Sequence, residues 1–253
     1  MGLRAWVGGR LAKYLTQEVH RSGFGISTNA DYLAAILQPG DVLLVEGVTR
    51  VSSAIKYMTQ STWSHSALYV GGHLHETLKG AAKPGHCFIE ADIKEGVRSA
   101  PLEAFAGLHT RICRPVGLSQ AEVRQVTAYA IARLGDHYDL RNLIDLARYL
   151  FPTPPIPARF RRQMLGVASG DPTRGICSTL ITQAFYQINY PILPNPSPHC
   201  DPCQSTHEAM RDYRLFVPRD FDVSPYFSIV KPTIEMGFNF HEDTGLTTFD
   251  QSF

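Results

Sequence analysis

The chain has 253 residues, enough for one large domain or two small ones around a real core. Hydrophobic residues make up 44% and charged residues 19%, with a formal net charge of +1. That balance argues against a disordered chain and supplies no field to steer it toward nucleic acid or an anionic membrane. Cysteine occurs five times, an odd count that argues against a disulfide scaffold and fits a reducing compartment with one reactive thiol.

In chain order, Leu3, Val7, Leu11 and Leu15 recur near helical spacing beside Trp6 and Tyr14, and predict an amphipathic helix. Arg4, Arg10 and Lys13 are spread through it. Its apolar stretches are too short for a signal-peptide core, no run approaches the ~20 apolar residues of a membrane span, and a cytoplasmic location is expected. The helix either packs its stripe on the domain or makes peripheral contact with a membrane. A short helix is expected over Tyr32 to Leu37, then the turn Pro39-Gly40-Asp41 and a buried strand over Val42 to Val45. Val51 to Met58 reads as a helix and Ser64 to Val70 as a strand. Gly71-Gly72 reads as a hairpin turn into a further strand over His73 to Leu78.

Further strands are expected from Cys87 to Ile93, from Gly96-Val97 onward and from Thr110 to Arg114, with a helical turn over Leu102 to Ala106. Ser119 and Glu122 form a capping box for a helix whose apolar face is Val123, Val126, Ala130 and Leu134. Leu140 to Leu150 reads as a helix, followed by a Pro-rich stretch with Pro152, Pro154, Pro155 and Pro157. A helix over Ser178 to Ile188 has Cys177 just before it. A Pro-rich loop, a helix over His207 to Asp212, short strands and a tail complete the chain. Strands in the first half and helices in the second predict an α+β fold. The expected domains are an N-terminal helix and linker over 1–30, a main domain over 31–218 with an insertion at 151–175, and an extension over 219–253.

Cys177 stands where a glycine-containing loop meets a helix N-terminus, in Gly175-Ile-Cys-Ser-Thr-Leu180. The positive end of the helix dipole favours a thiolate there. Unpaired N–H groups at that end, with Ser178 next in the chain, are candidates to hold an oxyanion or substrate. A thiolate nucleophile needs a base, and His65 opens an apolar strand between small residues. The base needs an orienting group. Glu90, mid-strand in Phe88-Ile-Glu-Ala-Asp92, is the first candidate, because an unpaired carboxylate there is costly. Asp92 lies on the same face and is the alternative; His75 and Glu76 are weaker ones. Tyr138, between two helices, is a candidate donor to an oxyanion, and Asp139 a helix cap. Each of these has a plain structural alternative as a core or surface residue. Cys200-Asp-Pro-Cys203, flanked by His199 and His207, lacks a second pair, so no metal is expected. No nucleophile elbow, phosphate loop or dinucleotide fingerprint occurs, and no cofactor is expected.

Five segments taken in order carry a family likeness: Leu37 to Leu44, Trp63 to Gly71, Phe88 to Asp92 with Gly96-Val97, Gly135 with Tyr138-Asp139, and Ile176 to Leu180. Together they resemble the circularly permuted NlpC-type cysteine peptidases, nearest the YiiX/YebB-like hydrolases, over about residues 36–190. His65 precedes Cys177, which is the permuted order. The resemblance implies a papain-like α+β fold with the Cys-bearing helix packed on an antiparallel barrel-like sheet. It also implies Cys177 as nucleophile, His65 as base, Glu90 as orienting residue and Tyr138 near the site. The implied activity is cleavage of an amide bond in a peptide or peptide-like conjugate through an acyl-enzyme. The lecithin:retinol acyltransferase family shares the permuted order, so a lipid acyl hydrolase or acyltransferase is the second reading. A silent binding module on the same fold is the third, and intact Cys177, His65 and Glu90 count against it. The expected partner is a peptide-like or lipid acyl substrate and no nucleic acid.

Overall fold

The computed structural model describes residues 17, 30–92, 95–136, 176–194, 212–231 and 237. The run Val42–Val45 (β1) is apolar at every position, and all four residues are buried. Such a strand belongs inside a sheet with cover on both faces. It pairs antiparallel with His65–Tyr69 (β2) on one side and Thr110–Pro115 (β5) on the other. His86–Asp92 (β3) and Gly96–Pro101 (β4) extend the sheet beyond β2, and Phe227–Val230 (β6) extends it beyond β5.

Alternation along the strands gives the sheet two apolar faces. Leu43, Val45, Ala67, Phe88, Ala100 and Ile112 meet Leu33 of helix Ala30–Ile36 (α1) and Phe105 of the 3-10 turn Leu102–Phe105. Val42, Leu44, Leu68, Ile89, Ala91 and Val97 share the second core with residues of two helices. These are Val126 and Ala130 of Gln120–Ile131, and Leu180, Ile181, Ala184 and Phe185 of Ile176–Tyr186. The helix Gln120–Ile131 starts with the expected capping box: Ser119 Oγ accepts from Glu122 N–H and the Glu122 carboxylate from Ser119 N–H. The fold is α+β as expected, but the sheet is open and not barrel-like. Its strand order is β4-β3-β2-β1-β5-β6, with β4 and β6 at the two ends. With helices covering both faces, apolar burial does not require the sheet to close on itself.

Helix Arg50–Thr59 (α2) follows β1. His73–Leu78 is also a helix (α3) and not the strand expected after Gly71-Gly72. Leu74 and Leu78 are four residues apart, which is helical spacing, and Leu74 is fully buried while Glu76 is exposed. The Gly71 N–H donates to the Cys87 carbonyl, so the chain turns at β3 instead of pairing along it. Helices Gln120–Ile131 and Ile176–Tyr186 are hereafter α4 and α5.

The segment expected to begin a separate extension at 219 joins the same sheet. Helix Pro218–Asp222 (α6) and β6 place Phe221, Phe227 and Val230 in the two cores. Asp222 ties this segment back: one carboxylate oxygen accepts from Trp63 Nε1 at 2.9 Å and the other from Arg111 Nη1 at 2.6 Å. The Arg111 guanidinium lies 5.0 Å above the Trp63 ring. The N-terminal helix apart from Gln17, the helix expected over 140–150, the insertion at 151–175 and the Cys200–Cys203 loop lie outside the described residues.

Asp41, in the turn before β1, is 1% exposed. Its carboxylate accepts from Arg114 Nε and Nη2, each at 2.8 Å, and from Gln38 N–H. Burial pushes its pKa upward, against the pull of Arg114 and Gln38. Replacing Arg114 with Met leaves that carboxylate buried without its cation, and is expected to cost about 3 kcal/mol at neutral pH. Urea unfolding checks this. The deficit should narrow as the pH falls, because the folded variant takes up a proton on Asp41 before the unfolded chain does.

Candidate active site

His65 is the first residue of β2, opposite Val45. The loop before it is fixed by close packing. Gly47 N–H donates to Ser64 Oγ at 2.9 Å, and a Cβ on Gly47 would lie 2.2 Å from Ser52 Oγ and 2.8 Å from Ser64 Oγ. Only glycine fits there. In the neighbouring pair, Leu68 faces Ile89 and Tyr69 faces Phe88. The same register continued brings Glu90 beside Ala67, with His65 diagonally across on the same face, within reach of long side chains. His65 Nε2 and Glu90 Oε2 are 2.6 Å apart.

Cys177 lies in the first turn of α5, which begins at Ile176, one residue before the thiol and not just after it. Its side chain hydrogen-bonds with His65, and the Ser66 N–H and hydroxyl are also directed to the sulfur. The Ser66 hydroxyl is buried and makes no hydrogen bond of ordinary geometry among the described residues, and the Cys177 thiolate is the form it favours. With Nε2 on Glu90, Nδ1 is the ring nitrogen left for the thiol.

The electrostatics follow from these contacts. Burial acts first on Cys177 and pushes its pKa up, but His65 and Ser66 outweigh it and hold the thiol below its usual value. Burial pushes His65 down, yet Cys177 and Glu90 more than reverse this, to about 10. Glu90 is 4% exposed, and His65 and Arg98 together hold its carboxyl below the usual range against the effect of burial. The contacts therefore favour the charged forms of all three groups, lowering Cys177 and Glu90 and raising His65. The other two described cysteines go the opposite way: burial raises Cys87 to about 11 and raises Cys113 further.

The remaining candidates fall elsewhere. Asp92 lies 3.7 Å from Arg98 Nη2 and accepts from Glu95 N–H, while the imidazole bonds Glu90. Glu76 pairs with Arg124 at the surface, and His75 is on the same helix, α3. The Ser178 hydroxyl is fully buried and donates to the Phe216 carbonyl at 2.7 Å, so that hydroxyl is not directed to an oxyanion. Tyr138, Asp139, His199, Cys200, Cys203 and His207 lie outside the described residues. Among the described residues, no three His, Cys, Asp or Glu side chains are placed to hold a metal, and no helix is long and apolar enough to cross a membrane.

Two residues at the site were not singled out by sequence reasoning. Arg98 is directly opposite Glu90 in the β3–β4 ladder, and its Nε and Nη2 donate to Glu90 Oε1 at 2.9 and 2.8 Å. Counting back from Gly96 opposite Asp92 would have found it. Ser66 follows His65 directly, but strand alternation alone assigns it to the other face.

A family model described as a permuted papain-like amidase enzyme of the YaeF/YiiX, C92 family matches residues 36–150. The fold is permuted papain-like. In Escherichia coli (strain K12), a protein described as probable lipoprotein peptidase YaeF is 23% identical over 216 residues, covering 79% of this chain and 73% of that protein. The matched span includes His65, Glu90 and Arg98 and ends before Cys177, which the packing of α5 brings to them.

At about pH 6, where ordinary thiols are protonated, iodoacetamide is expected to modify Cys177 well before Cys87, Cys113, Cys200 or Cys203. Mass spectrometry of the labelled peptides reads the order. Ser66→Ala should slow Cys177 labelling at that pH while leaving it unchanged at high pH, since a donor to the thiolate has been removed.

Proposed function

We propose that the chain is a thiol hydrolase of amide bonds in peptides or peptide-like conjugates, with Cys177 as nucleophile, His65 as proton carrier and Glu90 as orienting carboxylate. The comparisons support a hydrolase of the peptidase or amidase type. The observation that carries the finer reading is the 2.6 Å contact of His65 Nε2 with buried Glu90, combined with the nearness of Cys177, at a helix start, to the same imidazole.

In the proposed reaction the thiolate attacks the substrate carbonyl carbon, a C–S bond forms, and the carbonyl electron pair moves to oxygen. First-turn N–H groups of α5, which have no partner within the helix, stabilise that oxyanion. The imidazolium passes its Nδ1 proton to the departing nitrogen and the C–N bond breaks. Water then attacks the thioester, His65 takes its proton, and the intermediate collapses to the free acid and the thiolate.

Short peptides, with D-residue and γ-glutamyl links included, are offered to the protein in parallel with phospholipid vesicles. The expected outcome is amide cleavage that disappears in Cys177→Ala, falls at least about a hundredfold in His65→Ala, and falls less in Glu90→Gln. Release of fatty acid or lysophospholipid that depends on Cys177, with every peptide intact, makes the lipid reading the correct one. The kcat/KM profile should lose activity at its alkaline end near about pH 10, where His65 gives up the proton that the leaving nitrogen needs. At its acid end activity should persist below the pH at which an ordinary thiol ionises.

A further inference from the structure

We propose that Arg98 is a positioning residue of this site, holding Glu90 ionised and reserving one of its oxygens for His65 throughout the reaction. The proposal rests on the catalytic reading of Cys177, His65 and Glu90 given above. Its basis is a division of labour between the two carboxylate oxygens. Arg98 Nε and Nη2 donate to Oε1 at 2.9 and 2.8 Å, and Oε2 alone meets His65, at 2.6 Å. The guanidinium is itself held in place. Nη1 donates to Glu95 Oε1 at 3.0 Å, and Asp92 Oδ2 lies 3.7 Å from Nη2.

Arg98, Glu90, His65 and Cys177 thus form a row of alternating charge that sums to zero. The row matters because His65 does not stay charged. Once it has protonated the leaving group it is neutral, and a carboxylate that is 4% exposed then has no cation on the imidazole side. Such a group would take up a proton and cease to pull on the ring. A guanidinium cannot lose its proton in a protein, so Glu90 stays an acceptor while His65 draws a proton from water. Lysine would supply the charge but not the fork that meets both Glu90 and Glu95.

The test is the rate of iodoacetamide alkylation of Cys177 between about pH 4 and pH 9, with urea unfolding measured on the same variants. In Arg98→Met the acid limb of that profile is expected to move up by about one pH unit, with the high-pH plateau unchanged. Arg98→Lys should move it in the same direction by less, and it serves as the measure if the Met variant does not fold. Glu95→Gln should leave the limb in place. The double variant Glu90→Gln/Arg98→Met should shift no further than Glu90→Gln alone, because Arg98 acts through that carboxylate. If Glu90→Gln shifts the limb and Arg98→Met only lowers stability, Arg98 is a hairpin ion pair and the proposal is overturned while the triad stands. An Arg98→Lys profile identical to the native one overturns it as well, as does an additive shift in the double variant. If Glu90→Gln and Arg98→Met both leave the limb where it is, the role given to Glu90 falls and the proposal falls with it.

Discussion

A carboxylate buried in a sheet is costly unless it is protonated or paired and hydrogen-bonded. Glu90 meets this constraint with Arg98 on one oxygen and His65 on the other. Much of the site follows from it. An ionised Glu90 favours a protonated imidazole, and a protonated imidazole favours a thiolate at Cys177. Each charge in the row is the reason the next one can be buried. Burial opposes every charge in the set when taken singly, and the hydrogen-bonded partners reverse its effect on Cys177, His65 and Glu90.

The fold places these groups with simple devices. β1, apolar on both faces, ties β2 and β5 into one sheet and sets His65 opposite its own last residue, Val45. Ala67 is small and fully buried between the positions of His65 and Tyr69, and leaves room for the diagonal contact to Glu90. The α5 helix buries Leu180, Ile181, Ala184 and Phe185 against the sheet, and its first turn then presents Cys177 to Ser66 and His65. Its Ser178 is tied to the Phe216 carbonyl, so the C-terminal part of the chain helps to hold the start of the helix that carries the thiol. Phe221 and Phe227 pack with Phe185 in the same core, which makes residues beyond 218 part of the support for α5.

Most local structure was legible in the chain. Pro39-Gly40-Asp41, the VLLV run, the alternating Ser64 to Val70 segment and the Ser119–Glu122 capping box each depend on near neighbours, and each formed as its pattern implies. The stretch after Gly71-Gly72 misled because two glycines suit a hairpin. The i, i+4 spacing of Leu74 and Leu78 held the better information. The barrel-like sheet came from family likeness, whereas the open sheet reflects two separate helical covers.

By itself the sequence determined most of the elements, the α+β class and the nomination of Cys177, His65 and Glu90, because residue type, period and motif order are properties of the chain alone. The choice between Glu90 and Asp92 was beyond it. The two share a face by alternation, and the β2–β3 register continued sets Asp92 opposite His65 with Glu90 on the diagonal, so only the direction of the packed side chains takes the imidazole to Glu90. The same holds for Arg98, eight positions from Glu90 in the chain yet directly across the ladder, and for Ser66, whose donors matter only once α5 lays its first turn over β2. Those contacts join strands and helices far apart in sequence, and their geometry exists only when both cores are packed.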